Sequence, residues 1–108
     1  MDYITVAASR PGAAPPKIEK RTRDSRLFEV DCTSILVDNE LIVGAVTCAA
    51  PVALTVSDIR SRRGKSIIFR VSGGPVTTVS IDFSVLFTIH TSTSNVLEVP
   101  VIIKAFST

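Results

Sequence analysis

The chain of 108 residues is predicted to be all-β, a single sandwich of about seven strands preceded by an extended N-terminal arm. Three observations predict it. Val, Ile, Thr, Phe and Tyr, the residues that suit a pleated and half-buried surface, fill 42 of the 108 positions. From Leu27 onward apolar side chains recur at every second position, the period of a strand with one buried face. Turn-forming clusters punctuate that pattern at spacings of about 8–12 residues, as in sandwiches and small barrels. The length suits one domain with one core.

Residues 1–26 stand apart as an arm, and the sandwich is expected over residues 27–108. Ile4, Val6 and Ala8 alternate weakly, then Arg10-Pro11-Gly12-Ala13-Ala14-Pro15-Pro16 favours an extended, polyproline-like path with few backbone donors. Lys17, Lys20, Arg21, Arg23 and Arg26 outnumber Glu19 and Asp24, giving residues 17–26 a net charge of +3. A segment so composed offers no face to bury, so it is expected to order on a partner and to be dispensable for folding. Its contact residues would be Pro11, Pro15, Pro16, Lys17, Lys20, Arg21, Arg23 and Arg26.

The strands follow in order. Phe28, Val30 and Cys32 alternate with Glu29, Asp31 and Thr33. Asp38-Asn39-Glu40 reads as a turn. Leu41 to Ala49 is apolar enough to be covered on both faces. Leu54 and Val56 alternate with Thr55 and Ser57, and Arg60, Arg62, Arg63 and Lys65 make a basic loop. Ile67, Phe69 and Val71 form the next strand, closed by a turn at Ser72-Gly73-Gly74-Pro75. Val79, Ile81, Phe83, Val85, Phe87 and Ile89 give the clearest alternation of all. After a polar turn at 91–95, the last strand sets Leu97, Val99, Val101, Ile103 and Ala105 on one face. Pro100 lacks a ladder donor and predicts a strand that is bulged or at an edge there. On its opposite face Ile102 and Phe106 are candidates to meet another subunit.

Signals of chemistry are sparse. Two cysteines and one histidine cannot make a soft-ligand metal cluster, so no metal or cofactor is expected. Cys32 and Cys48 are expected to be free thiols, and the N-terminus lacks the pattern of a secretory signal. The longest apolar run, Leu41 to Leu54, is too short to cross a bilayer and holds Gly44 and Pro51, so no membrane contact is expected. Gly64-Lys65-Ser66 matches the end of a phosphate-binding loop, but Ile59 stands where its first glycine belongs and a strand follows instead of a helix. His90 lies on the polar face of its strand without a nucleophile motif around it, so the chain is not expected to be an enzyme or to take a small-molecule substrate. The basic segments at 17–26 and 60–65 could contact phosphates, but neither holds an aromatic residue for base stacking and the net charge is only +2. The sequence therefore argues against nucleic acid and for exposed loop cations or salt bridges to an acidic partner subunit.

From Ser25 onward the order of features resembles a family of small tailed-bacteriophage virion proteins, encoded among head and tail assembly genes. The residues that carry the resemblance are Phe28-Glu29-Val30-Asp31, Leu54-Thr55-Val56, Val71-Ser72-Gly73-Gly74, Val79 to Ile89, and Thr91 through Lys104. The chain departs from the family in its basic, proline-rich start and in lacking a tryptophan near the first strand. The resemblance implies an immunoglobulin-like module without catalytic residues, made in the host cytoplasm and attached in many copies to a virion as capsid decoration or at the neck, tail or fibre. Other virion proteins would be its partners. The alternatives are a module that binds the host surface, disfavoured by loops without aromatic anchors, and a nucleic-acid-binding β domain.

Overall fold

A computed structural model describes residues 4–10, 12–21, 24–73 and 80–106. Pro11 and Arg23 of the expected arm contacts lie outside the described residues. So do Gly74, Pro75 and Val79 of the expected turn and strand.

Eight strands form two sheets of four. In chain order they are β1 (Ile4–Ala7), β2 (Lys17–Arg21), β3 (Arg26–Asp31), β4 (Ile42–Ala49), β5 (Leu54–Arg62), β6 (Ser66–Gly73), β7 (Ile81–Thr91) and β8 (Val96–Phe106). One sheet runs β1-β3-β6-β5, the other β2-β8-β7-β4. Setting β3 to β8 as strands B to G gives B-E-D beside G-F-C, the immunoglobulin arrangement of a sandwich.

The inner faces are those that alternation predicts. Phe28, Val30, Ile67, Phe69, Val71, Val85, Phe87, Ile89, Val99, Val101 and Ile103 are buried in one core. Phe28 and Phe69 are opposite each other on β3 and β6, with ring centroids 6.0 Å apart. Phe69 meets Phe87 of the other sheet at 4.7 Å with rings tilted by 49°. Tilted aromatic contacts of this kind hold the two layers together through their quadrupoles as well as their area.

The N-terminal segment is extended, but it is not an unpaired arm. β1 pairs in parallel with β3, Ile4 opposite Phe28, and β2 pairs in parallel with β8, Ile18 opposite Ile103. Between them the chain crosses from one sheet to the other through a tight turn. The Ala13 N–H donates to the Arg10 carbonyl at 3.0 Å and Gly12 has φ +86°, a hydrogen-bonded turn where a polyproline path was expected. The expectation that this segment buries nothing fails. Ala8, Ile18 and Lys20 are buried, and Val6 packs against the core. A short edge strand needs only one or two inward side chains, too few for alternation to register in the sequence.

β4 also departs from expectation. It is an edge strand, not a covered one, and most of its side chains are exposed. Pro100 lies on a central strand, but β2 reaches only as far as Ile102, whose N–H donates to the Pro16 carbonyl at 2.9 Å. The stretch before Ile102 thus has an open side toward which Pro100 offers no donor, and the edge expectation holds locally.

Candidate interaction surface

The cations of the expected arm part company in the structure. Lys17 is half-exposed on the outer face of its sheet, 3.2 Å from Asp82 of β7. Arg21 is exposed at the end of β2, opposite Phe106, and Arg26 lies 3.6 Å from Asp24. Pro15 is exposed, while Pro16 is half-buried beside β8. Lys20 is no partner contact at all. It points inward with 2% of its surface exposed and donates through Nζ to the carbonyls of Gly73 (2.8 Å) and Arg21 (2.7 Å). Burial lowers its pKa, and the charge of Asp24 opposes that shift in part. Lys20 therefore ties β2 of one sheet to the end of β6 in the other. Beside it lies a shallow depression of about 410 Å³ lined by Glu19, Lys20, Arg21, Asp24, Arg26 and Phe106.

The second basic group is not a loop of free cations. Arg60 and Arg62 belong to β5, and the turn proper is Arg62 to Lys65, closed by Lys65 N–H to Arg62 carbonyl at 3.1 Å. Arg63 and Gly64 both have positive φ, the conformation of a type I′ hairpin turn. Arg62 Nη1 donates to Glu29 Oε2 at 3.3 Å, and Thr5 Oγ1 donates to Glu29 Oε1 at 3.1 Å. Three strands of one sheet are thereby joined across its outer face. Arg60 donates to the Asp58 carbonyl and Lys65 to the Glu40 carbonyl. Asp31 completes a depression of about 290 Å³ with Glu29, Arg62, Arg63 and Lys65. Its carboxylate accepts from the hydroxyl and N–H of Thr33, which lowers its pKa. The site thus alternates signs.

Ile102 and Phe106 share the outer face of β8 but do not form one apolar patch. Ile102 lies opposite Lys17 and Ser84, Lys104 intervenes, and the Lys104–Glu19 pair at 3.8 Å adds charge beside them. The apolar surface lies at the other end of the same sheet. Val43, His90 and Val96 stand opposite one another across β4, β7 and β8, all exposed. Nearby, Leu86, Val96, Glu98 and Pro100 line a cleft of about 630 Å³ together with Ser9 and Arg10 of the crossing segment. Sequence reasoning missed this surface because an uncharged run describes a covered strand and an open edge equally well.

Glu40, read from sequence as a turn residue, proves to be a buried clamp. Its carboxylate accepts from the Val37 N–H and the Asn95 side-chain amide, both at 3.1 Å, and from the Thr93 hydroxyl. Hydrogen bonds from Thr93, Thr91 and Val37 lower its pKa to about 2. This locks the turn before β4 onto the β7–β8 hairpin. Both cysteines are free; Cys32 is buried and its thiol is pushed up to about 12, chiefly by desolvation. Among the described residues no group of His, Cys, Asp and Glu could hold a metal ion, and no helix is long and apolar enough to cross a membrane.

Compared with models of known protein families and with curated proteins, the chain matches none. The fold is a β-sandwich of two mixed four-stranded sheets.

Proposed function

We propose that this chain is a non-enzymatic structural protein of a tailed-bacteriophage virion, an attachment module in capsid decoration or at the head–tail or tail-fibre junction. The observation that carries the reading is how the molecule uses its buried polar groups. Lys20 joins the two sheets, Glu29 joins three strands, and Glu40 with Thr91 joins a turn to a hairpin. Each such group, satisfied inside the protein, rigidifies a scaffold rather than poising a reaction. A rigid sandwich with several open faces suits repeated attachment, in which partner recognition falls to Arg21, Arg26 and Phe106 and to Arg60, Arg63 and Lys65. The resemblance of residues 25–105 to small phage virion proteins supports the same reading. The proposal alters the role first expected of the N-terminal segment, which now contributes exposed side chains from within the fold instead of docking as a free arm.

Mass spectrometry of purified particles from the native source tests it. Copies near the number of shell subunits indicate decoration, and a ratio of a few per cent indicates the neck, tail or fibre. Absence from particles overturns the proposal.

A further inference from the structure

β8 is a central strand for only part of its length. β2 pairs with it from Ile102 to Phe106, while the stretch from Val96 to Val101 has β7 on one side and no strand on the other. The direction of its free backbone groups follows from parity. The Ile102 N–H donates toward β2 and the Asn95 carbonyl accepts from Thr91 of β7, so even-numbered residues of β8 turn away from β7. The N–H and C=O groups of Val96 and Glu98, with the Pro100 carbonyl, therefore point to the open side. Donors and acceptors repeated at every second residue match the backbone of another extended chain.

This edge is recessed. Val96, Glu98 and Pro100 line the cleft of about 630 Å³, a size within the range of sites that hold a ligand. Facing them are Ser9, Arg10, Gly12 and Ala13 of the crossing segment, with Ser34 and Ile35. Hydrogen bonds fix that wall in advance. The Ala13 N–H donates to the Arg10 carbonyl, Ser9 Oγ to the Ala14 carbonyl, and Ser34 Oγ to the Ala8 carbonyl at 2.9 Å. A preformed cleft spends little free energy on ordering when it is filled.

The lining also selects the occupant. The crossing segment stands where a second sheet would have to lie, and β2 takes the same edge from Lys17 onward. A lone extended segment fits along residues 96–100, whereas the edge of another folded sheet does not. Leu97 and Ile35 are half-buried and packed against the core, so side chains turned inward must be apolar. Glu98 and Arg10 are exposed in the same cleft, and among the described residues neither has an ion-pair partner. A cation opposite Glu98 makes a favourable cross-strand pair. Arg10 opposes a run of further cations.

We propose that this cleft binds an extended segment of a partner protein, which adds to β8 along residues 96–100. The segment turns apolar side chains inward and sets a single lysine or arginine opposite Glu98. Main-chain hydrogen bonds give the affinity, and the alternate side chains give the selectivity. The inference stands apart from the virion reading, since peptide binding and particle content are measured separately.

Nuclear magnetic resonance titration of the full chain with the peptide acetyl-Thr-Val-Lys-Val-Thr-amide tests it. The palindrome serves either strand direction and sets Lys opposite Glu98, with Val opposite Leu97 and Val99. Shifts are expected at the amides of Val96, Glu98, Gly12 and Ala13, with a Kd of about 1 mM or tighter. Replacing the central Lys by Glu should weaken binding about threefold or more, and Glu98→Lys should reverse that preference. N-methylation of the central residue should weaken binding, because it removes a main-chain donor. No shifts up to about 5 mM peptide, shifts confined to other surfaces, or a Glu98→Lys chain that still prefers the Lys peptide each overturn the proposal. Should that variant fail to fold, amide exchange of the wild type decides. Slower exchange at Val96 and Glu98 with peptide supports the added strand, and unchanged exchange refutes it.

Discussion

At one edge of the second sheet, β2 turns Lys17, Glu19 and Arg21 to solvent and buries Ile18 and Lys20; at the other, β4 exposes Val43, Ala45, Thr47 and Ala49 and carries no charge. By composition β2 is among the most polar strands and β4 among the most apolar, yet β2 seals the core and β4 leaves an open side. What binds an edge to its sheet is which side chains face inward and what they meet there. Ile18 meets the apolar interior, and Lys20 finds the Gly73 carbonyl at the end of β6. The polar outer face of β2 adds exposed ion pairs, which contribute little individually.

The largest effect expected from this contrast is on truncation. Removing residues 1–24 takes away β1 and β2, strips Ile18 and Lys20 from the interior and opens β3 and the half of β8 from Ile102 to Phe106. The shortened chain should lose its cooperative thermal transition in circular dichroism. A well-folded truncated monomer would show that the segment is an accessory arm after all. Next, Ile18→Ala should cost about 2–5 kcal/mol in urea unfolding, as for other buried large-to-small changes. The matching change on the open edge, Val43→Ala, should stay within about 0.5 kcal/mol. Equal losses at the two sites would erase the distinction between the edges.

Acid sharpens the comparison, because Glu40 anchors the turn that leads into β4. Its folded pKa of about 2 lies below the ordinary 4.5, so the unfolded chain takes up the proton first as pH falls. The stability it contributes is complete above pH 4.5 and drains away as pH drops toward 2. Glu40→Gln should melt lower at neutral pH and show a flatter pH profile across that window. An unchanged profile would mean that the clamp contributes nothing. Lys17→Ala removes only an exposed pair and should change stability by no more than about 1 kcal/mol.

The sequence made six strands legible, β3 to β8, five of them through apolar residues at alternate positions and β4 through an uncharged apolar run. Phe28 and Val30, Phe69 and Val71, and Val85 through Ile89 needed no partner to be recognised. β1 and β2 were not legible as strands. β2 has Ile18 and a lysine as its inward pair, and a buried lysine is read as surface until the carbonyl of Gly73 is found beside it. The candidate site suffered from the same limit. Arg62 and Lys65 read as unopposed cations because Glu29 and the Glu40 carbonyl, their partners, lie far away in the chain. The exposure of β4 depends on sheet order, which no local pattern encodes.

The parallel pairing of β2 with β8 also sets an order of events during synthesis. Ile18 lies against Ile103, about 85 positions later, so β2 leaves the ribosome long before its neighbour exists. Until then its Lys, Glu and Arg side chains keep the segment hydrated and away from premature contacts, a task an apolar strand would perform badly. Closing so long a loop is slow, which places the docking of β2 among the last steps of folding. The charges on β2 thus serve the nascent chain as a form of patience.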